Sequence, residues 1–447
     1  MTYVKKLKPH EFRIWHGKRP LLGQLDIELT ERCNNNCIHC CINLPEDDAA
    51  ARSREMSTDF VKDVITQAAD LGCLTVRFTG GEPLLREDLA ELYEFTRRLG
   101  MQVILFTNAR LITPALAALL SKIPPGRVVE VSVYGMSPAS YDRVAACKGA
   151  FAEFSRGVTL LLQHKIPFIV KGPMLPFLKD ELKAFEAWAA TIPAMDKLPG
   201  YSMNFDLRSR RDDPAKNARV MKLRATPAET VGMMSRNPLY LKDMKQFCGK
   251  FMGPPGDKLF SCGAGHGTCI DAYGKAQMCM GLRDPATVYD LQNGSGANRS
   301  NPHDGISQND QAVNTATPRP ESPDGPETAL HLRAFPGDPG TTDTETRRKP
   351  LHFALSGYFP MLRELRATNP AYLNRCAQCF LKGLCEQCPA KSWAEYGTFD
   401  TPVEYLCNVA HAQARYLGLV GDNENAWEVT EEDWRARVAR FSGEEQA

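Results

Sequence analysis

The chain has 447 residues, which is long enough for two or three domains around a large apolar core. Lys and Arg number 54 and Asp and Glu number 53, so the formal net charge is only +1. This balance argues against a broad basic surface for nucleic acid or for an anionic membrane. No apolar stretch approaches the roughly 18 residues that cross a bilayer. We therefore expect no nucleic-acid partner and no membrane association.

Cysteine is the unusual component, with 15 residues. The number is odd, and residues 1–20 are basic without the apolar segment of a secretion signal. Disulfides are rare in a reducing compartment, so many cysteines in such a chain indicate metal or redox chemistry. We expect a cytoplasmic location.

In the first two hundred residues, short apolar runs alternate with stretches of helical spacing. The apolar runs predict strands at 25–29, 74–78, 103–106, 128–133, 168–170 and 203–207. The stretches between them predict helices at 58–71, 86–99, 114–123, 152–164 and 179–191. Strands that alternate with helices pair in parallel, and six units are too few for a closed barrel of eight. The predicted fold class is α/β, a partial (β/α)6 TIM-like barrel with a cysteine-rich C-terminal auxiliary-cluster domain.

Composition predicts how the chain divides into domains. Residues 293–350 are rich in Gly, Pro, Asn, Asp, Ser and Thr, and such a segment buries too little apolar surface to offset the entropy of ordering it. The predicted division is an N-terminal segment at 1–24, the barrel at 25–210, a helical bridge at 211–261, the auxiliary-cluster domain at 262–292 and 351–411, a disordered insertion at 293–350 and a helical tail at 412–447.

The first cysteine group follows the first predicted strand. Cys33, Cys37 and Cys40 stand in C-x3-C-x2-C spacing. Three thiolates on one tight loop can hold three irons of a [4Fe–4S] cluster and leave the fourth iron open to a ligand. A zinc knuckle is the alternative, in which Cys41 could supply a fourth thiolate.

A second motif, Thr-Gly80-Gly81-Glu82-Pro83, ends the second predicted strand. Glycines allow the backbone to approach a small ligand, and Glu82 offers a carboxylate to an ammonium group. The two motifs together resemble the radical S-adenosylmethionine (SAM) superfamily. The resemblance implies that SAM chelates the open iron and that its methionyl amine contacts the G-G-E-P stretch. It also implies an external one-electron reductant of the flavodoxin or ferredoxin type, because SAM is cleaved reductively to a 5′-deoxyadenosyl radical.

Later positions extend the resemblance. His39 matches the family's aromatic position beside the adenine, although it could equally be a polar loop residue. Asn108 lies in a T-N-A stretch that is similar to the family's T-N-G, and Ser132 begins S-V-Y-G at a strand end. The resemblance implies that Ser132 lies near the ribose or the carboxylate of the cofactor.

One position departs from the family. Many relatives carry an Arg-Gly pair that binds the cofactor carboxylate, and this chain has Ala145 and Ala146 there. Arg143 or Lys171 could substitute for that pair, or either could be an ordinary solvated charge.

The second cysteine group resembles the SPASM extension of peptide-modifying radical enzymes. Cys262-x11-Gly274-x4-Cys279 fits the first half of that pattern, whereas the second half has x2 where x3 is usual before Cys388. Paired C-x2-C spacings also suit structural zinc ribbons, which remain the alternative. The resemblance implies one auxiliary [4Fe–4S] cluster on Cys262, Cys269, Cys279 and Cys388, and another on Cys376, Cys379, Cys385 and Cys407.

Auxiliary clusters favour reactions that end oxidised, such as dehydrogenation or cross-linking. The predicted function is therefore a maturase of a ribosomally made peptide. The alternatives are oxidation or rearrangement of a small molecule, such as an alcohol or a sugar derivative, and a non-catalytic iron–sulfur electron carrier. Because only 24 residues precede the first predicted strand, we expect the C-terminal region or a separate peptide-recognition protein to capture the peptide.

No catalytic base or hydrogen donor is assigned from the sequence. In sulfatase-maturing relatives, an aspartate directly follows the cysteine that matches Cys279 and acts as the base, but Met280 stands there in this chain. Cys248 is a candidate late hydrogen donor, although most such thiols donate nothing.

Overall fold

The computed structural model describes residues 22–260, 262, 267–296 and 349–443. The predicted N-terminal segment therefore lies outside the described residues up to position 21, as do 297–348 of the predicted disordered insertion and the last four residues of the predicted tail.

A parallel sheet forms the centre of the N-terminal half. In the described part of the chain the strands are β1 (Gln24–Thr30), β2 (Arg32–Cys33), β3 (Leu44–Pro45), β4 (Thr75–Gly80), β5 (Gln102–Thr107), β6 (Gly126–Ser132), β7 (Phe168–Pro173), β8 (Gly200–Ser202), β9 (Thr268–Ile270), β10 (Lys275–Gln277), β11 (Tyr289–Asp290) and β12 (Ser295–Gly296). The order β1-β4-β5-β6-β7-β8 is parallel throughout. Together with the helices between the strands it gives the predicted partial TIM-like barrel.

Helices connect the strands and continue into the C-terminal half. In the same described ranges they are α1 (Ala49–Arg54), α2 (Thr58–Asp70), α3 (Leu89–Arg98), α4 (Pro114–Lys122), α5 (Pro138–Ala145), α6 (Ala150–Gln163), α7 (Leu182–Ala189), α8 (Pro214–Met221), α9 (Pro227–Met234), α10 (Tyr240–Phe251), α11 (Pro350–Phe353), α12 (Phe359–Arg363), α13 (Pro389–Tyr396), α14 (Glu404–Tyr416) and α15 (Glu431–Ser442). No described helix is long and apolar enough to cross a membrane.

The cysteine-rich part of the chain is built onto the barrel sheet. Strand β9 adds in parallel to the free side of β1, with Cys269 opposite Asp26. Strands β10, β11 and β12 then follow in antiparallel order. As a result, the sheet that carries the barrel also carries the strand that contains the second cysteine of the C-terminal group.

The apolar pattern explains how the helices cover the sheet. Helix α2 begins at Ser57, whose side chain accepts a hydrogen bond from the Phe60 amide at 3.2 Å. Its buried face belongs to the same hydrophobic core as strand β1. Strand β1 is buried on both faces, since Leu25 and Ile27 and also the alternate residue Glu28 are fully buried. Such two-sided burial is typical of the central strands of parallel sheets.

A second, smaller core holds the C-terminal end. Phe380 and Trp434 stack with ring centroids 5.8 Å apart, and Tyr240 and Cys248 are buried beside them. Helix α15 supplies Trp434, so the amphipathic pattern predicted for the tail forms a helix that packs on the auxiliary region.

Three sequence predictions about elements were wrong. The sixth strand is Gly200–Ser202 and not 203–207. The apolar side chains of Phe205 and Leu207 are buried in a separate hydrophobic cluster and do not mark a strand of the sheet. Helices α1 and α5 were not predicted. The predicted insertion at 293–350 overlaps described structure at both ends, since β12 and the start of α11 fall inside it.

Candidate functional site

The cysteine loop, residues 33–41, connects β2 to β3 and rests on the C-terminal end of α5. The amide of Asn36 donates to the Ala145 carbonyl at 2.9 Å, and the amide of Ile38 donates to the Val144 carbonyl at 3.0 Å. The last carbonyls of a helix have no partner within the helix, so the loop satisfies them. The position where relatives carry an Arg-Gly pair thus holds the cysteine loop through its main chain.

Arg110, which the sequence analysis missed, fixes the loop from the other side. Its guanidinium donates to the Asn34 carbonyl and to Oδ1 of Asn35, and pairs with Glu153. It follows directly on the T-N-A stretch, where the chain turns at Ala109 with φ of 63°.

The loop forms one wall of a cleft that encloses about 1450 Å³ of empty space, part of it open to solvent. The other walls come from the C-terminal ends of β4, β5 and β6, where parallel α/β folds place their sites. The sequence-predicted residues that line this cleft are Cys33, Cys37, His39, Cys40, Gly80, Gly81, Glu82, Asn108 and Ser132.

The two glycines of the G-G-E-P stretch are required by contact with the cysteine loop. A Cβ at Gly81 would lie 2.2 Å from the Arg32 carbonyl oxygen, and one at Gly80 would lie 2.2 Å from the Thr30 carbonyl oxygen. The Gly81 amide donates to Thr30 at 2.7 Å, and the Glu82 amide donates to Arg32 at 2.9 Å. The interpretation of these glycines as room for a ligand was therefore incomplete, because they also fit β4 against the residues that begin the loop.

Glu82 is fully buried and already holds the end of β5. Its Oε1 accepts from the Thr107 hydroxyl at 2.8 Å and from the Leu84 amide at 3.1 Å, and its Oε2 accepts from the Asn108 amide at 2.8 Å. Burial raises the pKa of Glu82 to about 7, although these hydrogen bonds oppose the shift. Glu82 lines the cleft, and among the described residues its Oε2 accepts only the hydrogen bond from Asn108, so it can accept another.

His39 presents an unpartnered nitrogen at the cleft. Its ring packs against Phe205 and Tyr134, with centroids 5.2 Å and 5.8 Å away. Its Nδ1 is buried and has no hydrogen-bond partner among the described residues. Burial lowers the pKa of His39 to about 4, so the imidazole is neutral at physiological pH. A neutral ring with a free nitrogen suits a heterocyclic ligand such as an adenine.

The three loop sulfurs line the same cleft. Burial raises the pKa of Cys33 and of Cys37, so neither ionises readily without a positive charge nearby. A bound cluster provides that charge and displaces the protons. The Cys37 sulfur also accepts a hydrogen bond from Tyr134. Within the described ranges, no three His, Cys, Asp or Glu side chains are arranged to hold a single metal ion.

The two charges suggested for the cofactor carboxylate lie away from the cleft lining. The Arg143 guanidinium stacks on the Phe177 ring at 3.7 Å. The Lys171 ammonium pairs with Glu130 at 3.0 Å and lies 3.3 Å from the centre of the Phe106 ring. The structure does not bring either residue to the cysteine loop.

Another part of the cleft wall is charged, and the sequence analysis missed it. Asp206 follows β8, Lys391 lies on α13, and the two form an ion pair. Glu386 lies between two predicted cluster ligands, and its carboxylate is 3.3 Å from Nδ2 of Asn204 and 3.9 Å from Lys391. The loop that carries auxiliary cysteines therefore also forms part of the cleft.

Four C-terminal cysteines converge on a second cavity of about 490 Å³. We call it the auxiliary pocket, and its cysteines are Cys376, Cys379, Cys385 and Cys407. These are the four that the sequence grouped in one cluster. Arg375, Lys382, His411 and Trp427 share its lining.

The other four predicted cluster cysteines are Cys262, Cys269, Cys279 and Cys388. Cys279 is close enough to Cys262 and Cys388 for their charges to raise its pKa, after burial as the larger cause. Cys269 instead lies in β9, where burial and then the charges of Glu28 and Arg283 dominate its pKa. The pairing of β9 with β10 places Cys269 opposite Gln277, two residues before Cys279.

Cys248, the candidate hydrogen donor, is buried in the second core and does not line the cleft. No disulfide forms, and all fifteen cysteines are free.

The fold and the site together define a partial-barrel α/β protein with a three-cysteine loop at the C-terminal ends of its strands. Residues 27–189 match the model of the Radical SAM superfamily, and the chain therefore contains a radical SAM domain.

Curated relatives are each similar to about a third of this chain. An AdoMet-dependent heme synthase of Methanosarcina barkeri is 32% identical over 160 residues, which are 36% of this chain and 45% of that protein. A PqqA peptide cyclase of Xanthomonas axonopodis is 36% identical over 140 residues, which are 30% of this chain and 35% of that protein. Each similarity thus spans less than half of the relative's length.

The likeness among solved structures extends further along the chain. Streptococcus suis SuiB bound to the precursor peptide SuiA has a TM-score of 0.51 at 15% identity, over 87% of this chain and 77% of that chain. At this identity the likeness concerns the fold, which includes both the partial barrel and the region that follows it.

Proposed function

We propose that this protein is a radical SAM enzyme that oxidises a ribosomally synthesised peptide, by dehydrogenation or by cross-linking a side chain. The observation that carries the proposal is that one cleft is lined both by the cysteine loop and by Glu386 and Lys391 from the auxiliary-cysteine region. A substrate in that cleft would face the radical centre on one side and the approach to an electron acceptor on the other.

Cys33, Cys37 and Cys40 would hold the first [4Fe–4S] cluster. When bound there, the cluster and SAM supply a 5′-deoxyadenosyl radical that abstracts hydrogen from the substrate. Glycine contacts at β4, the Arg110 guanidinium and the end of α5 hold the loop in place. This preorganisation keeps the reacting atoms from being reoriented during turnover.

The polar groups of the cleft would orient the cofactor. Glu82 offers the open lone pair of its Oε2 to an ammonium group, while three hydrogen bonds keep the carboxylate in position. His39 offers its unpartnered Nδ1 to the adenine, and Asn108 and Ser132 offer amide and hydroxyl groups from neighbouring strand ends. Arg143 and Lys171 would contribute only if they left their present partners.

The auxiliary region would remove electrons. Cys376, Cys379, Cys385 and Cys407 would hold one cluster in the auxiliary pocket, since four thiolates satisfy all its irons. The other cluster would use Cys262, Cys279 and Cys388, with Cys269 as the fourth ligand in the sequence-based assignment. Three clusters in total, an external flavodoxin-type or ferredoxin-type reductant and a reducing cytoplasmic location are all part of the proposal. Fifteen unpaired cysteines support that location.

A peptide substrate is supported by two of the similarities. The SuiB structure is described as bound to a precursor peptide, and the cyclase from Xanthomonas axonopodis is named for the peptide PqqA. A separate peptide-recognition protein could assist in capture. The second candidate is oxidation of a small molecule, and it is favoured by 32% identity to an AdoMet-dependent heme synthase.

The test compares substrates with one readout. The anaerobically purified chain, with reductant and SAM, is incubated with a peptide encoded beside its gene or with an iron porphyrin, and the products are analysed by mass spectrometry. We expect the peptide to lose the mass of two hydrogens and the porphyrin to remain unchanged. A modified porphyrin and an unmodified peptide would favour the second candidate. Failure to form 5′-deoxyadenosine under any condition would contradict both.

A further inference from the structure

Two side chains surround the Cys407 sulfur in the auxiliary pocket. Cys407 and His411 lie one turn apart on α14, so their side chains project from the same face of the helix. Arg375 approaches from the turn that precedes Cys376, on the other side of the pocket. Both Arg375 and His411 are therefore placed to act on the same sulfur.

The hydrogen bonds of His411 determine which ring nitrogen carries the proton. The Ala426 amide lies 3.1 Å from Nε2, so it donates to Nε2, which must be unprotonated. The hydrogen of the neutral ring is consequently on Nδ1, which lies 2.9 Å from the Cys407 carbonyl oxygen and 3.6 Å from its sulfur. Nδ1 thus directs its N–H between the carbonyl and the sulfur of one residue.

Arg375 provides a second and charged donor. Its Nη2 lies 3.7 Å from the Cys407 sulfur, and its two terminal nitrogens hold Glu404 at 2.6 Å and 3.1 Å. The guanidinium also stacks over Trp427 at 4.7 Å, and His411 meets the edge of the same ring at 5.3 Å. This packing fixes the position of both donors.

Cys407 differs from the other cysteines of the pocket in this respect. Of the four sulfurs, and within the part of the chain that the structure describes, it alone has side-chain donors within 4.0 Å, whereas Cys385 accepts only from the Gln387 amide at 3.4 Å. Hydrogen bonds to a ligand sulfur withdraw negative charge from it. They therefore stabilise the reduced state of an iron–sulfur cluster and raise its reduction potential.

We propose that Arg375 and His411 are positioning residues that set a high reduction potential for the cluster in the auxiliary pocket, which makes that cluster the preferred electron acceptor. The inference rests on the proposed function, because it requires a cluster on these four cysteines. In the step concerned, the substrate radical loses one electron to the oxidised cluster and one proton to solvent. No bond to Arg375 or His411 forms or breaks.

The contrast with the first cluster site supports this assignment. After burial, the Glu82 carboxylate is the largest charge effect on the pKa of Cys33, and it opposes additional negative charge there. At the auxiliary pocket, a guanidinium contacts the ligand sulfur directly. The two sites therefore bias their clusters in opposite directions, with electrons favoured at the auxiliary pocket.

The test is a redox titration followed by electron paramagnetic resonance (EPR) on the full chain in the C33A/C37A/C40A background, so that only auxiliary clusters contribute. A C407S variant in this background identifies the signal of the auxiliary pocket. We expect R375Q to shift that midpoint potential to lower values and R375K to shift it less. We expect H411F, which keeps a ring against Trp427, to shift it in the same direction. R415Q is the matched control, because it removes an exposed charge from α14 without removing a donor to the sulfur.

Equal midpoint potentials in R375Q and R415Q, together with an unchanged one in H411F, would overturn the inference. If R375Q loses its cluster iron, R375K and H411F provide the test instead. Midpoint potentials in both variants equal to that of R415Q would then overturn the inference. If C407S removes no EPR signal from the background protein, the pocket holds no cluster. That result would contradict the proposed function itself. It differs from the result in which a cluster is present but its reduction potential does not change when Arg375 or His411 is replaced.

Discussion

The two cysteine regions of this molecule are built on different plans. The cysteine loop places three sulfurs on one wall of a cleft with about 1450 Å³ of empty space, beside Glu82 and the unpartnered His39. The auxiliary pocket places four sulfurs around about 490 Å³, with Trp427 in its lining. Three ligands and free volume suit a cluster that binds a further molecule, whereas four ligands and little volume suit a cluster that only stores an electron.

Their positions in the chain add to this contrast. The loop is held by strand ends and by the end of α5, within the barrel that the first two hundred residues form. The auxiliary pocket is formed by short turns and by α14, next to the second core. In the proposed function, the radical chemistry would take place at the end of the barrel sheet, and electron transfer would take place in the region that meets the same cleft through Glu386.

The largest expected effect is on 5′-deoxyadenosine formation, and it distinguishes the three loop cysteines from the adjacent Cys41. C37A should abolish 5′-deoxyadenosine formation, because a cluster with two protein ligands no longer presents one open iron in a fixed position. C41A should retain it, since Cys41 is outside the three-cysteine spacing although it lines the same cleft. Chromatographic quantification of 5′-deoxyadenosine checks both variants, and equal loss in C41A would favour the four-thiolate zinc alternative.

The next effect concerns the auxiliary pocket. C407S should lower iron content by about four per chain, the iron of one cluster, because serine is a poor ligand for the metal. C248S is the matched control, since Cys248 is equally a free cysteine but lies in the second core. Iron and protein are measured on the same anaerobically reconstituted samples. Loss of iron in both variants would indicate unfolding and not ligand removal.

A buried ion-pair network joins two regions of the chain, the end of β1 and the turn after Cys279, and its loss should be costly for stability. Arg283 follows the auxiliary Cys279 and contacts Glu28 and Glu31 at the end of β1, all of them buried. R283M should lower the free energy of unfolding by about 3–5 kcal/mol, because it leaves the buried Glu28 carboxylate without its partner, whereas Glu31 keeps Arg210 and Tyr273.

The control for R283M is R52M, which breaks an exposed ion pair with Glu87. It should change the free energy of unfolding by no more than about 1 kcal/mol. Denaturant unfolding under anaerobic conditions gives both values. Similar values for the two variants would show that the network does not connect the regions energetically.

The smallest effect tests how β4 supports the cysteine loop. G81A should lower the free energy of unfolding by about 1–3 kcal/mol, because the added Cβ meets the Arg32 carbonyl oxygen and displaces the loop. G232A, on the exposed side of α9 with nothing within 4 Å, should instead be stabilising by about 1 kcal/mol. Iron content should fall in G81A alone, and a G81A protein with full stability and iron would contradict the contact.

Sequence patterns predicted the parts of the fold that depend on local periodicity. Five of the six barrel strands and the helices between them, except α1 and α5, follow from apolar spacing, and the grouping of Cys376, Cys379, Cys385 and Cys407 was implied by the family resemblance. The sixth strand was misplaced because Phe205 is buried in a tertiary cluster with Val144 and Val220, and its apolar side chain does not indicate a strand.

The missed parts of the site depend on contacts between residues distant in sequence. Glu386 and Lys391 reach Asn204 and Asp206 across more than 180 positions, and no spacing rule links them. The role of Gly81 against Arg32 and the pairing of Cys269 with Asp26 of β1 are similar cases, since both arise from how strands are placed side by side. Arg110 had one signal, its place directly after the T-N-A stretch.

The central claim is that three sulfurs of the cysteine loop hold an iron–sulfur cluster with an open iron. The most direct measurement is metal analysis with EPR of the reduced protein, purified without oxygen, with and without SAM. The account predicts about twelve irons per chain, about eight in C33A/C37A/C40A, and a signal that SAM changes in the wild-type chain alone. A colourless protein that contains zinc and no iron would contradict it.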